Sequence, residues 1–206
     1  MIQWIDGLEE GAVLWDIGAN VGVFSLYAAS RRKARVLAFE PSAANFYVLS
    51  RNIQINGLNT VAAYCVALAG VTELGVLNLG SAELGAALSQ FGKAGELSRY
   101  LTRGEATGHG MVGFTVDEFI QRFNPPFPEH LKMDVDGLEW PILQGATKTL
   151  ADSRLRSAMI ELSLTDKAER DCALELLDGC GLRFVSHGEA QGTVTERAAN
   201  HLFVRT

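Results

Sequence analysis

The chain has 206 residues, 48% of them hydrophobic and 20% charged, the balance of a soluble one-domain globule that can bury roughly 70% of its unfolded surface without a metal or disulfide. The formal net charge of −6 argues against nucleic acid or an anionic membrane as a main partner. Cys65, Cys172 and Cys180 form no C-x-x-C pair and read as buried free thiols of a reducing cytoplasm, and neither a signal peptide nor a run of about 18 apolar residues is present.

Residues 12–17 are a short apolar run, expected to be a buried strand. Residues 21–32 have helical spacing, with Val21, Phe24, Ala28 and Ala29 on one face. A second strand over residues 35–39 stops at Glu40-Pro41. Ser42 then opens a helix running to about Asn56, with Phe46, Leu49, Ile53 and Ile55 inward and Gly57 ending it. A third strand is expected over residues 60–66. Residues 70–113 hold ten of the 21 glycines, and only residues 71–79 look strand-like. This stretch reads as a hairpin or excursion followed by a mobile Gly-rich loop on the substrate side. Further on, the pattern gives a short helix (115–122), a strand (130–135), a helix (139–151), a strand (157–162) and a helix (167–180). An antiparallel pair, residues 182–186 and 201–204, closes the chain.

Alternating strands and helices predict an α/β, doubly wound, mostly parallel sheet with an antiparallel last strand. The whole of residues 1–206 is expected to form one domain. Ligands of such sheets bind beyond the carboxyl ends of the strands.

The first strand ends in "DIGANVG", that is Asp16, Gly18, Asn20 and Gly22. A dinucleotide fingerprint, G-x-G-x-x-G, would have glycine where Asn20 and Val23 stand. A phosphate cradle gains nothing from the carboxylate of Asp16, and no G-x-x-x-x-G-K-[ST] is present. S-adenosylmethionine fits better, because it carries a sulfonium and an ammonium group and no phosphate. Glu40, at the end of the second strand, is placed to accept hydrogen bonds from ribose hydroxyls. The same two glycines would also suit a plain strand-to-helix turn capped by Asn20.

"DIGANVGVFS", "FEPSAANFYVLSRNIQING", "LKMDVDGLEWPILQGA", "MIELS" and "NHLFVR" follow in that order. Together they resemble the FkbM-type methyltransferases. The resemblance implies a class I methyltransferase (Rossmann-like) fold of seven strands and an enzyme using S-adenosylmethionine to methylate a hydroxyl of a small molecule or sugar. It implies that Asp16, Gly18, Asn20 and Gly22 line the donor's methionine and ribose side. Glu40 would hold the ribose, and Asp134 would sit at the sulfonium and substrate edge. The family more often has Glu at the position of Asp136, and the helix that precedes the first strand in many relatives is expected to be short or absent here.

"KMDVDGLEW" adds a second acidic group. Asp134 and Asp136 alternate along the expected strand and so point the same way, with Glu161 of the next strand nearby. Such a trio could supply a general base, hold Mg²⁺, or orient the donor and cap the next helix. Lys132, in a buried strand, is expected to pair with a carboxylate. His109 is a solvated loop residue or a base carried by a lid, while His130, His187 and His201 read as structural. Trp4, Trp15 and Trp140 read as packing residues, Trp140 with the alternative of walling a substrate pocket. A fold that retains the donor site without turnover is the competing reading.

Overall fold

A computed structural model describes residues 1–79, 90–92, 107–189, 191–192 and 197–206. In chain order the elements are α1 (Ile2–Asp6), β1 (Val13–Ile17), α2 (Val23–Arg32), β2 (Arg35–Phe39), α3 (Ala43–Ile55), β3 (Val61–Tyr64), β4 (Ala67–Leu68), β5 (Glu73–Leu79), β6 (Gln90–Gly92), β7 (Thr107–Phe114) and α4 (Val116–Phe123). They continue with β8 (His130–Met133), α5 (Glu139–Gln144), α6 (Thr147–Ala151), β9 (Ser157–Ser163), α7 (Lys167–Gly179), β10 (Leu182–His187), β11 (Gln191–Gly192) and β12 (Arg197–Arg205).

Seven strands form the main sheet in the order β10-β12-β9-β8-β1-β2-β3, with β11 flanking β12. β1, β2, β3, β8 and β9 run parallel, and β12 runs antiparallel to both of its neighbours. The central strands are apolar because both of their faces are covered. Side chains alternate between those faces. Trp15, Ile17, Leu37, Phe39, Leu131 and Met133 pack on one side with α4, α5 and α7. Leu14, Val36 and Ala38 pack on the other against Ala28 and Ala29 of α2 and Leu49 of α3.

Several expectations change in detail. Val21 precedes α2, whose buried face is Ser25, Ala28 and Ala29. Ile55 is 70% exposed, because at about 100° per residue it falls off the helix face that carries Leu49 and Ile53. Ser42 occupies the N-cap of α3 without a side-chain capping bond. The helix expected over residues 139–151 is two, α5 and α6, broken at Gly145-Ala146. A Cβ at Gly145 would lie 3.0 Å from both the Ala69 carbonyl and Thr115, so the chain bends where these segments press close. The N-terminal helix is present as the five residues of α1. The three cysteines are free, but Cys65 and Cys172 are exposed rather than buried.

The Gly-rich region gives the largest correction. Its described residues form a second sheet, β4-β7-β5-β6. β5 and β7 pair antiparallel from Glu73↔Gly113 to Leu79↔Thr107. Residues 107–114, expected as loop, are therefore a strand, and His109 is an exposed strand residue opposite Leu77. The loop expected between these strands lies mostly outside the described residues. Glycine is required here by packing: the Phe91 ring would meet a Cβ at Gly113 at 2.4 Å and one at Gly75 at 2.6 Å.

Candidate functional site

The carboxyl ends of β1, β2, β8 and β9 converge. The turn after β1 is left-handed at Gly18 (φ 77), Asn20 (φ 50) and Gly22 (φ 93). Gly18 is dictated by close approach as well as by φ: a Cβ there would sit 1.9 Å from the Asp134 carbonyl oxygen. Gly22 lets Leu26 and Leu49 close over it, each 2.5 Å from the site of a Cβ.

The turn's amides are already used. The N–H groups of Gly18 and Ala19 both donate to the Phe39 carbonyl at 3.0 Å, and that of Gly22 donates to the Ala19 carbonyl at 2.8 Å. The Asn20 N–H donates to Glu40 Oε2 at 2.8 Å. From α3, Asn52 Nδ2 grips the Val21 carbonyl at 2.9 Å. A phosphate-binding turn aims such amides outward at the ligand. Here four of them are turned inward.

Glu40 spans two segments, because its other oxygen accepts the Ser42 N–H at 2.9 Å. Its burial pushes the carboxyl above the usual range, against the pull of those two amides. A carboxylate has about four acceptor positions, so Glu40 keeps capacity for hydroxyl donors.

Asp16 is only 1% exposed. It shares a face of the sheet with its register partner Lys132. Its Oδ2 accepts the Ser25 hydroxyl at 2.6 Å, and its Oδ1 faces the Lys132 ammonium at 3.2 Å. Lys132 also donates to the Gly18 carbonyl at 2.7 Å and lies 3.8 Å from Asp134. Burial pulls this ammonium toward neutrality, yet Asp16 and Asp134 outweigh it and hold Lys132 above its ordinary value. The pairing expected for Lys132 is thus found, and it consumes the charge of Asp16. The open carboxylate at this edge is Asp134, whose side chain is 29% exposed.

β8 ends at Met133, so Asp134 and Asp136 do not alternate along a strand as expected. They lie in a turn with left-handed Asp136 (φ 57) and Gly137 (φ 96). The turn still brings Asp134, Asp136 and Glu161 together, with a carboxylate oxygen of each within 4.8 Å of the others. Buried Glu139 holds the turn by accepting the Val135 N–H at 2.8 Å and the Gly137 N–H at 3.0 Å. Burial pushes Glu139 up to about 7. Burial, then the charge of Asp134, pushes Glu161 up to about 8, so near neutral pH the crowded trio keeps a proton on Glu161. Three carboxylates at this spacing have the chemistry to hold a hard cation; the proton on Glu161 already relieves their repulsion.

An apolar cavity adjoins Gly18. The main sheet contributes Ile17 and Phe39, the segments after β2 and β8 contribute Pro41 and Val135, and the second sheet closes it with Leu77 and Phe91. Asn200 is the register partner of Glu161, and its Oδ1 is buried without a hydrogen-bond partner among the described residues. The other histidines lie apart from this constellation. His130 bonds Ser157 and Glu9, and His201 bonds the Ala199 carbonyl. Trp15 is core, Trp4 donates to Ser157, and Trp140 packs against the main core cluster. The anchoring roles of Ser25, Asn52 and Glu139 were not read from the sequence; for Glu139 the signal was its place two residues after Gly137, within reach of the turn's amides.

The sequence pattern of the methyltransferase FkbM domain matches residues 16–190, which include the turn after β1, Glu40, Lys132 and the acidic trio. The chain belongs to this family. Among its relatives is the hexuronic acid methyltransferase AglP of Haloferax volcanii, 29% identical over 146 residues, or 71% of this chain and 54% of that protein. The chain thus spans about half the length of that relative. Solved structures share the fold. A precorrin-6y C5,15-methyltransferase from Geobacter metallireducens superposes with a TM-score of 0.55 at 14% identity, covering 100% of this chain and 86% of the other. A TehB-like SAM-dependent methyltransferase from Corynebacterium glutamicum gives 0.53 at 10% identity, with coverages of 100% and 86%. The FkbM-family chain therefore has the class I methyltransferase fold, as the resemblance implied. Among the described residues no helix is long and apolar enough to cross a membrane.

Proposed function

We propose that this FkbM-family chain is a single-domain methyltransferase that uses S-adenosylmethionine to methylate a hydroxyl of a small molecule or sugar. The observation that carries the choice of donor is the inward-turned glycine turn: with the amides of Gly18, Ala19, Asn20 and Gly22 consumed, it offers little to a phosphate. This support differs from the one expected, since Asp16 is neutralised by Lys132 and does not itself present charge to a ligand.

The residues present fit the donor. Glu40 keeps acceptor capacity for ribose hydroxyls, and the neighbouring half-buried Pro41 presents an apolar surface to a purine. Gly18, Asn20 and Gly22 shape the floor, Asp16 braces it from beneath, and Asp134 offers negative charge at the open edge. Bound there, S-adenosylmethionine supplies an electrophilic methyl group.

The chain's own residues do the rest. The fixed turn and acidic loop hold donor and acceptor in one orientation, the largest contribution available to a two-reactant transfer. Asp134 and Asp136 orient the acceptor, and Glu161, once ionised, takes the hydroxyl proton. The hexuronic acid named for AglP makes sugars the first acceptors to try. The test is incubation with methyl-labelled donor and a panel of sugars and small hydroxylic compounds. Labelled product with matching S-adenosylhomocysteine supports the reading. Donor binding with no transfer to any acceptor would instead favour a non-catalytic binding protein.

A further inference from the structure

Lys132 is the one buried cation at this site among the described residues, with a side chain 4% exposed. It contacts three segments. Its ammonium meets the Gly18 carbonyl at 2.7 Å and the Ile17 carbonyl at 3.5 Å, Asp16 at 3.2 Å, and Asp134 at 3.8 Å. The Phe24 ring lies 5.8 Å away on the α2 side. A buried ammonium needs oxygen partners on several sides, and here those partners are the floor of the turn and the first residue of the acidic loop.

We propose that Lys132 is a positioning residue that locks the turn after β1 to the acidic loop after β8, so that the donor's aminoacyl arm and the acceptor side are built on one unit. The last part rests on the donor reading above. Lys132 fixes the Gly18 carbonyl beneath the turn and steers Asp134 from within. Among the described residues it makes no hydrogen bond or ion pair with Glu40 or Pro41, the residues assigned to the ribose and purine, and it reaches Glu40 only through its charge, which pulls that carboxyl down. Its direct contacts fall on the aminoacyl end of the ligand, so its loss weakens that end more than the adenosine end.

The test compares wild type with the double variant Lys132→Met/Asp16→Asn, which removes the ammonium without stranding a buried carboxylate. Hydrogen exchange is read at residues 18–22 and 134–137 of both ligand-free proteins. Affinities are then measured for S-adenosylhomocysteine and for 5′-methylthioadenosine, which lacks the aminoacyl arm. The folded double variant is expected to lose protection in both segments together. It should bind S-adenosylhomocysteine at least tenfold more weakly and 5′-methylthioadenosine within about threefold of wild type. Unchanged protection in either segment overturns the proposal, as does a parallel loss of both affinities. If wild type binds neither compound, the donor reading fails, while the exchange data still decide whether Lys132 locks the two segments. Should the double variant not fold, Lys132→Gln/Asp16→Asn, a neutral polar pair whose shorter amide does not span both segments, decides by the same exchange readout between coupled and independent loosening.

Discussion

Replacing Gly18 by alanine tests the site's construction, with Gly57→Ala as its control. Both positions are left-handed, with φ of +77° and +61°, but a Cβ at Gly57 meets nothing within 4 Å. At Gly57 the cost is therefore conformational alone, about 1–2 kcal/mol. For a chain of this length that lowers Tm by about 2–8 °C. At Gly18 the same cost applies, and the new carbon lies 1.9 Å from the Asp134 carbonyl oxygen, where ordinary contact begins near 3.4 Å. The backbone at Asp134 must retreat by about 1.5 Å, more than a close-packed interior absorbs cheaply. That retreat strains the bond from the Asp134 N–H to the Ile17 carbonyl, 3.1 Å, and the Lys132 bond to the Gly18 carbonyl. Losing one neutral and one charged hydrogen bond adds about 2–4 kcal/mol. The Gly18 variant should thus fall about 10 °C or more in differential scanning calorimetry. It should also weaken S-adenosylhomocysteine binding at least tenfold, which Gly57→Ala leaves unchanged. Equal losses of Tm in the two variants would refute the claim that Gly18 is needed to let the backbone at Asp134 approach.

Other outcomes follow from the same geometry. Glu161→Gln should cut methyl transfer by about 10²–10⁴-fold, the usual scale of a lost general base. The wild-type rate should rise with pH toward about 8, where Glu161 ionises, and a flat profile would remove Glu161 from that role. Transfer should also survive a chelator, since a proton on Glu161 relieves the repulsion of the trio without a cation. Glu139 titrates near 7 when folded and near 4.5 when unfolded. The folded state then binds more protons between those values, and its contribution to stability is lost as pH rises through 7. Denaturation midpoints should fall from pH 5 to pH 8, less steeply in Glu139→Gln. Phe91→Ala should enlarge the small cavity that Phe91 closes and unpack Gly75 and Gly113, lowering the denaturation midpoint; an unchanged midpoint would remove Phe91 from the packing of the second sheet.

The parallel strands were legible because burial on both faces writes them as continuous apolar runs, as at residues 12–17 and 35–39. The site's acids were legible because they end those runs. β7 was not, since Gly108, Gly110 and Gly113 give it no strand pattern; Gly108 makes room for Val76 and Gly113 for Phe91, neighbours that only the fold supplies. The partner of Asp16 was equally hidden. Only the sheet order, with β8 beside β1, places Lys132 against it. The grouping of Asp134, Asp136 and Glu161 was expected from strand alternation. It arises instead from a left-handed turn pinned by Glu139, whose conformation no periodicity records.

On the reading proposed above, the turn after β1 serves a methyl donor rather than a phosphate ligand. Isothermal titration of the intact protein with S-adenosylhomocysteine, beside NAD and ATP, separates the two. One equivalent of S-adenosylhomocysteine should bind, weakened by Glu40→Ala, with no heat from the two phosphate compounds. Binding of NAD or ATP by a folded protein that ignores S-adenosylhomocysteine would contradict the account.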